Sequence, residues 1–308
     1  MKLNFICPND HSVLEFYENY YKCTICNNIY QSKNDIFSTL EMENEFYEGA
    51  YVNKILYTPK NNYFWNILPL WVINGGYLWA VRKYIKKKST IVELGCAGGV
   101  TYFGKNYNMI GCDLSYTSLK LANEYSQLIQ CDATQCIPLP DNTVDAVISS
   151  YFWEHVTKEQ KNDILKEANR ILKPNGHLIF LYDVETSNPF IKYFKKKNSY
   201  LYKKLFLDKD GHIGYHLPEE NINLFKDSGF NIVKHRGLEK TFIQSPSVYI
   251  KLVEYNTNFK KFYLLLSKLG QSPYVYIYST FTRFIDTIIC PLLPKSWARI
   301  DIIICKKK

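Results

Sequence analysis

The sequence has no uninterrupted apolar run long enough to cross a bilayer. Its most apolar late stretch, Tyr274 to Leu293, is broken by Arg283, Asp286 and Pro291, whereas a membrane-spanning helix needs about 20 mainly apolar residues. The first residues, Met1 to Ile6, are too few to hold the apolar region of a signal peptide. We therefore expect a cytoplasmic protein, with peripheral contact to a membrane left open.

The number of cysteines in the sequence is odd. It has nine, and Cys112 and Cys305 lie inside apparent strands. An odd number in such positions argues against a disulfide framework and favours a reducing compartment.

Positively charged residues are only moderately in excess over negatively charged ones. There are 38 Lys and Arg against 29 Asp and Glu, a net charge of +9 at pH 7, with basic clusters dispersed at 82–88, 192–204, 260–261 and 306–308. Such dispersion is typical of solvated helix faces, although attraction to the phosphates of nucleic acid or of an anionic membrane stays open.

A complete dinucleotide fingerprint, G-x-G-x-x-G, is missing where a glycine-rich turn follows an apolar strand. The turn begins at Gly95, and Ala97 and Val100 stand where the second and third glycines would be. The preceding acid, Glu93, would repel a pyrophosphate, whereas a cationic cofactor without phosphates tolerates it. A second apolar run ends at Asp113, where a carboxylate can accept ribose hydroxyls. The pattern favours S-adenosylmethionine and argues against a nicotinamide oxidoreductase.

Strands and helices alternate through the middle of the chain. Apolar runs predict strands at 91–94, 110–113, 128–133, 145–150 and 177–183, and helical patterns lie at 102–107, 115–127 and 158–172. The turn signal Lys173-Pro174-Asn175-Gly176 ends the last of these helices. This alternation predicts an α/β fold with a doubly wound parallel sheet.

Six motifs follow in a fixed order in this core. They are Glu93 to Gly99, Gly111 to Ser115, Cys131 to Ala133, Ile137 to Asp145, Glu154 to Val156 and Leu172 to Gly176. Together they closely resemble the class I S-adenosylmethionine-dependent methyltransferases of the broad small-molecule type (type 11). The resemblance implies a Rossmann-like sheet of seven strands whose last two, at 230–235 and 299–305, pair as a hairpin.

The resemblance also suggests a division of the chain. Residues 1–40 would form a zinc-ribbon-like knuckle, 41–89 an aromatic helical extension and 90–183 the cofactor-binding core. Residues 184–308 would hold the last two strands and aromatic-rich insertions, at about 185–215 and 237–296, that cover the substrate pocket.

Cofactor contacts are carried over from the family to matching positions. Glu93 would lie near the methionine amino group, Asp113 with Leu114 would hold the ribose, and Asp132 with Ala133 would meet the adenine. The remaining expected cofactor contacts are Gly95, Cys96, Ala97, Gly98 and Tyr151.

The segment after the fourth strand, Ser149 to His155, would face the methyl acceptor. It is not the Asn/Asp-Pro-Pro-Tyr/Phe motif of many N-methyltransferases, which argues against exocyclic amines of nucleobases. His155 is the candidate general base, because an imidazole titrates near neutral pH. Trp153, His212 and His216 are candidate substrate contacts. The two histidines, four residues apart, could also bind a metal, but no third ligand is near them in sequence.

A possible metal site lies in the first forty residues. Cys7 opens one short turn, and Cys23 and Cys26 form a C-x-x-C pair, as tetrahedral zinc requires. The fourth ligand would be His11 or Asp10, and His11 is favoured because imidazole binds zinc well. The segment resembles the zinc-ribbon knuckle that precedes some methyltransferase domains, with one cysteine missing. A structural zinc ion and a decayed ribbon held by apolar packing are the alternatives.

We therefore expect an S-adenosylmethionine-dependent methyltransferase (EC 2.1.1.-) that acts on a small or lipid- or sugar-linked metabolite by in-line displacement. One rival is a ribosomal RNA methyltransferase, with nucleic acid as partner, and another is a non-catalytic scaffold that keeps the fold. Oligomeric state is left open.

Overall fold

A computed structural model describes residues 3–40, 48, 76–255, 257–269 and 274–308. The strands are β1 Leu14–Tyr17, β2 Tyr20–Cys23, β3 Ile29–Lys33, β4 Ile36–Ser38, β5 Thr90–Leu94, β6 Asn108–Asp113, β7 Gln127–Gln130, β8 Val144–Ser150, β9 Leu172–Asp183, β10 Phe230–Leu238 and β11 Ile300–Lys307. The α-helices are α1 Tyr77–Tyr84, α2 Thr101–Asn106, α3 Tyr116–Leu119, α4 Lys158–Ile171, α5 Pro189–Lys197, α6 Ser199–Tyr202, α7 Pro218–Asp227, α8 Pro246–Val253, α9 Lys260–Lys268 and α10 Tyr274–Ile288.

One sheet joins these strands in the order β1-β2-β3-β4-β7-β6-β5-β8-β9-β11-β10. Strands β7, β6, β5, β8 and β9 run parallel, and β11 is antiparallel to both β9 and β10. The doubly wound sheet and its terminal hairpin are thus confirmed. Strand β5 pairs with β6 on one side and β8 on the other, so the order reverses there and opens a crevice at the carboxyl ends.

Apolar side chains cover both faces of the sheet. Along β5, Ile91 enters one buried cluster, whereas Val92 and Leu94 enter the other. Strands buried on both faces are the ordinary arrangement in a parallel sheet with helices on each side. Helix α4 begins at a capping box in which Thr157 and Gln160 satisfy each other's backbone N–H groups.

Four N-terminal strands extend the predicted seven-stranded sheet. Strand β4 lies parallel to β7, and the Gln127 side chain exchanges two hydrogen bonds with the backbone of Leu3. The rings of Phe5 and Phe37 stack with centroids 4.3 Å apart inside the main core. The N-terminal segment is therefore built onto the sheet edge.

Several predicted elements have different bounds, and the strand predicted at 128–133 is β7, Gln127–Gln130. The helix predicted at 115–127 is wrong beyond Leu119, because α2 approaches so closely that a Cβ on Gly104 would lie 2.5 Å from the carbonyl oxygen of Glu124. The turn predicted at 173–176 lies inside β9 as a bulge, since Val144 pairs with Leu172 and Ala146 with His177.

The last third of the chain adds its own buried cluster. Tyr255, Tyr263 and Tyr278 are buried there, whereas Phe262 and Phe281 are exposed. In the expected extension at 41–89, residues 41–47 and 49–75 lie outside the described residues. No helix in the described part of the chain has both the length and the apolar character needed to cross a membrane.

Candidate active site

The carboxylate at the end of β5 is held between two tyrosines. Glu93 is 2% exposed, and its Oε1 accepts a hydrogen bond of 2.8 Å from the hydroxyl of Tyr77. Its Oε2 accepts another from the hydroxyl of Tyr125, which in turn accepts from the N–H of Val100. Burial raises the pKa of Glu93 to about 7, although the two hydroxyls hold it down.

The glycine turn is tied to the end of β6. Gly95 has φ 63°, and a Cβ there would lie 2.9 Å from Cβ of Phe152, so only glycine fits. Ala97, also in the left-handed region at φ 47°, donates its N–H to Oδ2 of Asp113 at 2.8 Å. Oδ1 of Asp113 accepts from the N–H of Ser115 at 2.9 Å. Burial raises the pKa of Asp113 against these hydrogen bonds.

Asp132 lies after β7, at the same edge of the sheet. Its Oδ1 accepts from both the N–H and the hydroxyl of Thr134, and its Oδ2 lies 3.3 Å from the side-chain nitrogen of Gln135. Asp132 therefore closes its own turn. Ala133 is buried beside it, and the carbonyl of Leu114 accepts from Gln130.

The remaining expected cofactor residues flank the same turn. Cys96 is buried, and a Cβ on Gly111 would lie 2.7 Å from its Sγ. Gly98 is partly buried. Tyr151 stands after β8 with a left-handed φ of 55° and is 42% exposed.

These placements fit a cationic adenosine cofactor. No ion pair joins Glu93 or Asp113 to a described lysine, arginine or histidine. A buried carboxylate without a cation is costly, and a bound ligand that carries an ammonium group would offset that cost.

Trp153, a predicted substrate contact, is packed into the core. It is 1% exposed, its ring stacks on Phe225 with centroids 5.1 Å apart, and its N–H donates to Asn221. Tertiary packing therefore uses this indole as core, and its contact with a substrate stays a prediction. Buried Lys161 lies over the same ring and also donates to Asn221.

His155 and His212 come together, and His216 does not join them. The first two rings meet edge to face with centroids 5.2 Å apart, and burial with the neighbouring His155 lowers the pKa of His212 to about 3. His216 instead lies 3.9 Å from Glu220 and lines a separate surface pocket of about 470 Å³. The predicted pair is thus divided between two places.

Four important side chains were not predicted as site residues. Tyr77 and Tyr125 hold Glu93, Glu154 is 1% exposed beside His155, and Arg299 pairs with the carboxylates of Asp183 and Glu239. The available sequence signal for Glu154 was its place in a motif already recognised, Glu154 to Val156. Burial raises the pKa of Glu154 well above its usual range, and the nearby carboxylate of Asp183 adds to this.

The N-terminal cysteines do converge, but with Asp10 in place of His11. One ligand atom from each of Cys7, Asp10, Cys23 and Cys26 lies within 4.8 Å of the others. The sulfurs of Cys7 and Cys26 are 3.5 Å apart, close to the roughly 3.8 Å expected for two thiolates on one tetrahedral zinc ion. His11 is exposed and its backbone N–H closes the turn on Cys7, so Asp10 rather than His11 lies beside the thiols.

Comparison with known proteins finds methyltransferases similar to this chain. A family model described as a methyltransferase domain matches residues 92–180. A solved structure of a methyltransferase from Bacillus halodurans has a TM-score of 0.49 and 18% identity, covering 76% of this chain and 99% of that one.

Two curated relatives carry different activities. The demethylmenaquinone methyltransferase of Staphylococcus carnosus is 31% identical over 171 residues, which cover 51% of this chain and 67% of that protein. The tRNA N(3)-cytidine methyltransferase METTL6 of Rattus norvegicus is 23% identical over 197 residues, covering 58% of this chain and 68% of that protein. The chain spans about half the length, 48%, of the bacterial ubiquinone/menaquinone C-methyltransferases that it also matches.

The strand order, the acid-glycine turn and the staphylococcal relative lead to one conclusion. The chain belongs to the class I S-adenosylmethionine-dependent methyltransferases.

Proposed function

We propose that this protein transfers a methyl group from S-adenosylmethionine to a small, lipid-linked acceptor. The observation that carries the cofactor assignment is the pair of carboxylates at the ends of β5 and β6, Glu93 and Asp113, which form no ion pair with a described cation. When bound, the cofactor supplies a methyl group on a positively charged sulfur.

The residues around this crevice would bind and orient the cofactor and the acceptor, and they would exclude water. Glu93 would hold the amino group and Asp113 the ribose hydroxyls, since each oxygen of Asp113 keeps a lone pair beyond its backbone hydrogen bond. Tyr151 would pack against the cofactor, and His155 would take a proton from a hydroxyl acceptor. Such a displacement depends mainly on alignment.

The proposal of a lipid-linked acceptor rests on the faces of two helices. On α10, Ile277, Phe281, Phe284 and Ile288 recur at helical spacing and are 45–74% exposed. On α9, Phe262 and Leu265 are more than half exposed beside basic Lys260, Lys261 and Lys268. Apolar faces flanked by lysines are typical of helices that lie on an anionic membrane.

Vesicle cosedimentation tests the membrane part. Phe281→Glu should reduce binding to phosphatidylglycerol vesicles severalfold, whereas Phe242→Glu, at a more exposed phenylalanine outside both helices, should not. Wild-type protein that stays in the supernatant would contradict the proposed surface.

A methyl-transfer assay tests the acceptor. Labelled cofactor is offered with a phenol that carries an isoprenoid tail and with the same phenol without it. Preferential labelling of the tailed compound is expected. Equal labelling would contradict the lipid-linked class, and no labelling despite cofactor binding would favour a scaffold.

RNA is the second candidate acceptor. The net charge of +9 and the likeness to a tRNA methyltransferase over 197 residues favour it. Label appearing in a tRNA pool, with binding that weakens steeply as salt rises, would replace the lipid-linked acceptor with this one.

We also propose a structural zinc ion held by Cys7, Asp10, Cys23 and Cys26, in a cytoplasmic protein. The proximity of these groups supports the ion, and the free state of all nine cysteines supports the reducing location. Cys26→Ser should hold one zinc ion per chain fewer than the wild type, and His11→Asn should hold as many as the wild type. Equal zinc content in wild type and Cys26→Ser would contradict this ligand set.

A further inference from the structure

A second cluster of metal-binding side chains lies at the acceptor end of the sheet. Glu154 and His155 belong to a single 3₁₀ turn after β8, and His212 comes from the loop before α7. One ligand atom from each residue lies within 4.8 Å of the others. Two imidazoles and a carboxylate are thus gathered from distant parts of the chain.

Two polar atoms of this cluster lack a hydrogen-bond partner among the residues that the structure describes. Oε2 of Glu154 and Nδ1 of His212 are buried without a hydrogen bond from any described residue. Buried polar atoms are nearly always paired, and an unpaired one calls for a ligand, an ion or water. A cation between these two atoms would satisfy both.

The third side chain is oriented as a metal ligand would be. His155 is 9% exposed, and its Nδ1 lies 3.0 Å from the carbonyl oxygen of Gly211. A carbonyl that accepts from one ring nitrogen fixes the tautomer and leaves Nε2 as the nitrogen with a lone pair. Imidazoles that bind metals are usually held in this way.

The loop that carries His212 is firmly attached to the turn. The N–H of Gly214 donates to the carbonyl of Glu154 at 2.9 Å, and Lys161 donates to the carbonyl of Gly214 at 2.6 Å. A Cβ on Gly214 would lie 1.9 Å from the carbonyl oxygen of Val156, so a larger residue could not approach this closely. The cluster is therefore preorganised.

We propose that Glu154, His155 and His212 bind a divalent transition-metal ion. Two imidazoles with one carboxylate favour ions such as zinc, iron or manganese over calcium and magnesium. Three protein ligands leave at least one coordination position for another oxygen, and His155 would then act as a ligand in place of its proposed role as general base. Because the turn follows β8, next to β5, that oxygen would belong to the methyl acceptor, and this last step rests on the proposed function.

Cobalt titration tests the site without any methyl transfer, so a failed methylation assay does not affect it. The full chain is stripped with a chelator and titrated with cobalt chloride. Thiolate ligation by the N-terminal cluster produces intense charge-transfer absorption, whereas a site of histidine and carboxylate produces only weaker d–d bands. The two sites can therefore be followed separately.

His212→Asn should weaken cobalt binding at the histidine–carboxylate site, the component without charge-transfer bands, at least tenfold, and Glu154→Gln should do the same. His216→Asn, four residues along the same loop and outside the cluster, should titrate like the wild type. Near-ultraviolet circular dichroism checks that each variant is folded. Wild-type titration without this component, or an unchanged component in folded His212→Asn, would overturn the proposal.

Discussion

The pH dependence of cofactor binding should be governed by Glu93. With a pKa of about 7 in the cofactor-free protein, this carboxyl is about nine-tenths protonated at pH 6 and about one-tenth protonated at pH 8. An ammonium group beside it would bind the ionised form and lower its pKa. Affinity for S-adenosylhomocysteine should therefore rise about tenfold, or about 1.4 kcal/mol, from pH 6 to pH 8.

Ionisation of the same carboxyl should lower the stability of the cofactor-free protein as pH rises. Its folded pKa of about 7 exceeds the ordinary value of 4.5, so its contribution is full below pH 4.5 and is lost as pH rises through 7. The difference between these two pKa values corresponds to about 3 kcal/mol in the free energy of unfolding. Cofactor-free Glu93→Gln should match the wild type near pH 4.5 and exceed its free energy of unfolding by about this amount at pH 8.

Calorimetry in two buffers of different ionisation enthalpy measures the linked proton. Wild type should release about one proton on binding at pH 6 and about a tenth of one at pH 8, and Glu93→Gln should release none. Glu124→Gln, at an exposed carboxylate paired with Lys105, is the matched control. Wild-type affinity that is constant from pH 6 to pH 8 would refute the reasoning.

Three further predictions concern single side chains. Gly95→Ala places a Cβ 2.9 Å from Phe152 in left-handed backbone, so urea unfolding should show a loss of about 1–3 kcal/mol together with weaker cofactor binding; unchanged binding would exclude the close approach. Thr157→Ala removes a capping box and should cost about 1 kcal/mol while cofactor affinity stays constant; weaker binding would contradict its purely structural role. Burial lowers the pKa of Lys161 to about 7 from 10.5, so the unfolded chain binds more protons above pH 7. Wild-type stability should therefore rise relative to Lys161→Met by about 2 kcal/mol from pH 7 to pH 9, and a constant difference would contradict this.

The core could be predicted because its signals are local. Each strand of the crevice is a short apolar run, and each ends in an acid or a turn, so β5, β6 and β8 were recognised without knowledge of their neighbours. The predicted length of helix α3 is too great because the contact between Gly104 and Glu124 comes from another element, and no local pattern carries that information.

The side chains of the site were only partly predictable. Asp10 and His11 are adjacent, and only the turn geometry shows that Asp10 faces the thiols. Trp153 follows a strand end as a substrate contact would, but the packing of Phe225 makes it core. The meeting of Glu154 with His212 depends on how a distant loop folds back, which spacing along the chain does not encode.

The most direct test of the central claim is calorimetric titration of the purified chain with S-adenosylhomocysteine. The account predicts one binding site per chain at pH 8, weakened at least tenfold in Asp113→Asn and unchanged in Asp163→Asn, an exposed carboxylate paired with Lys166. Wild-type protein that binds no S-adenosylhomocysteine, or Asp113→Asn that binds it as the wild type does, would contradict the assignment of this crevice as the cofactor site.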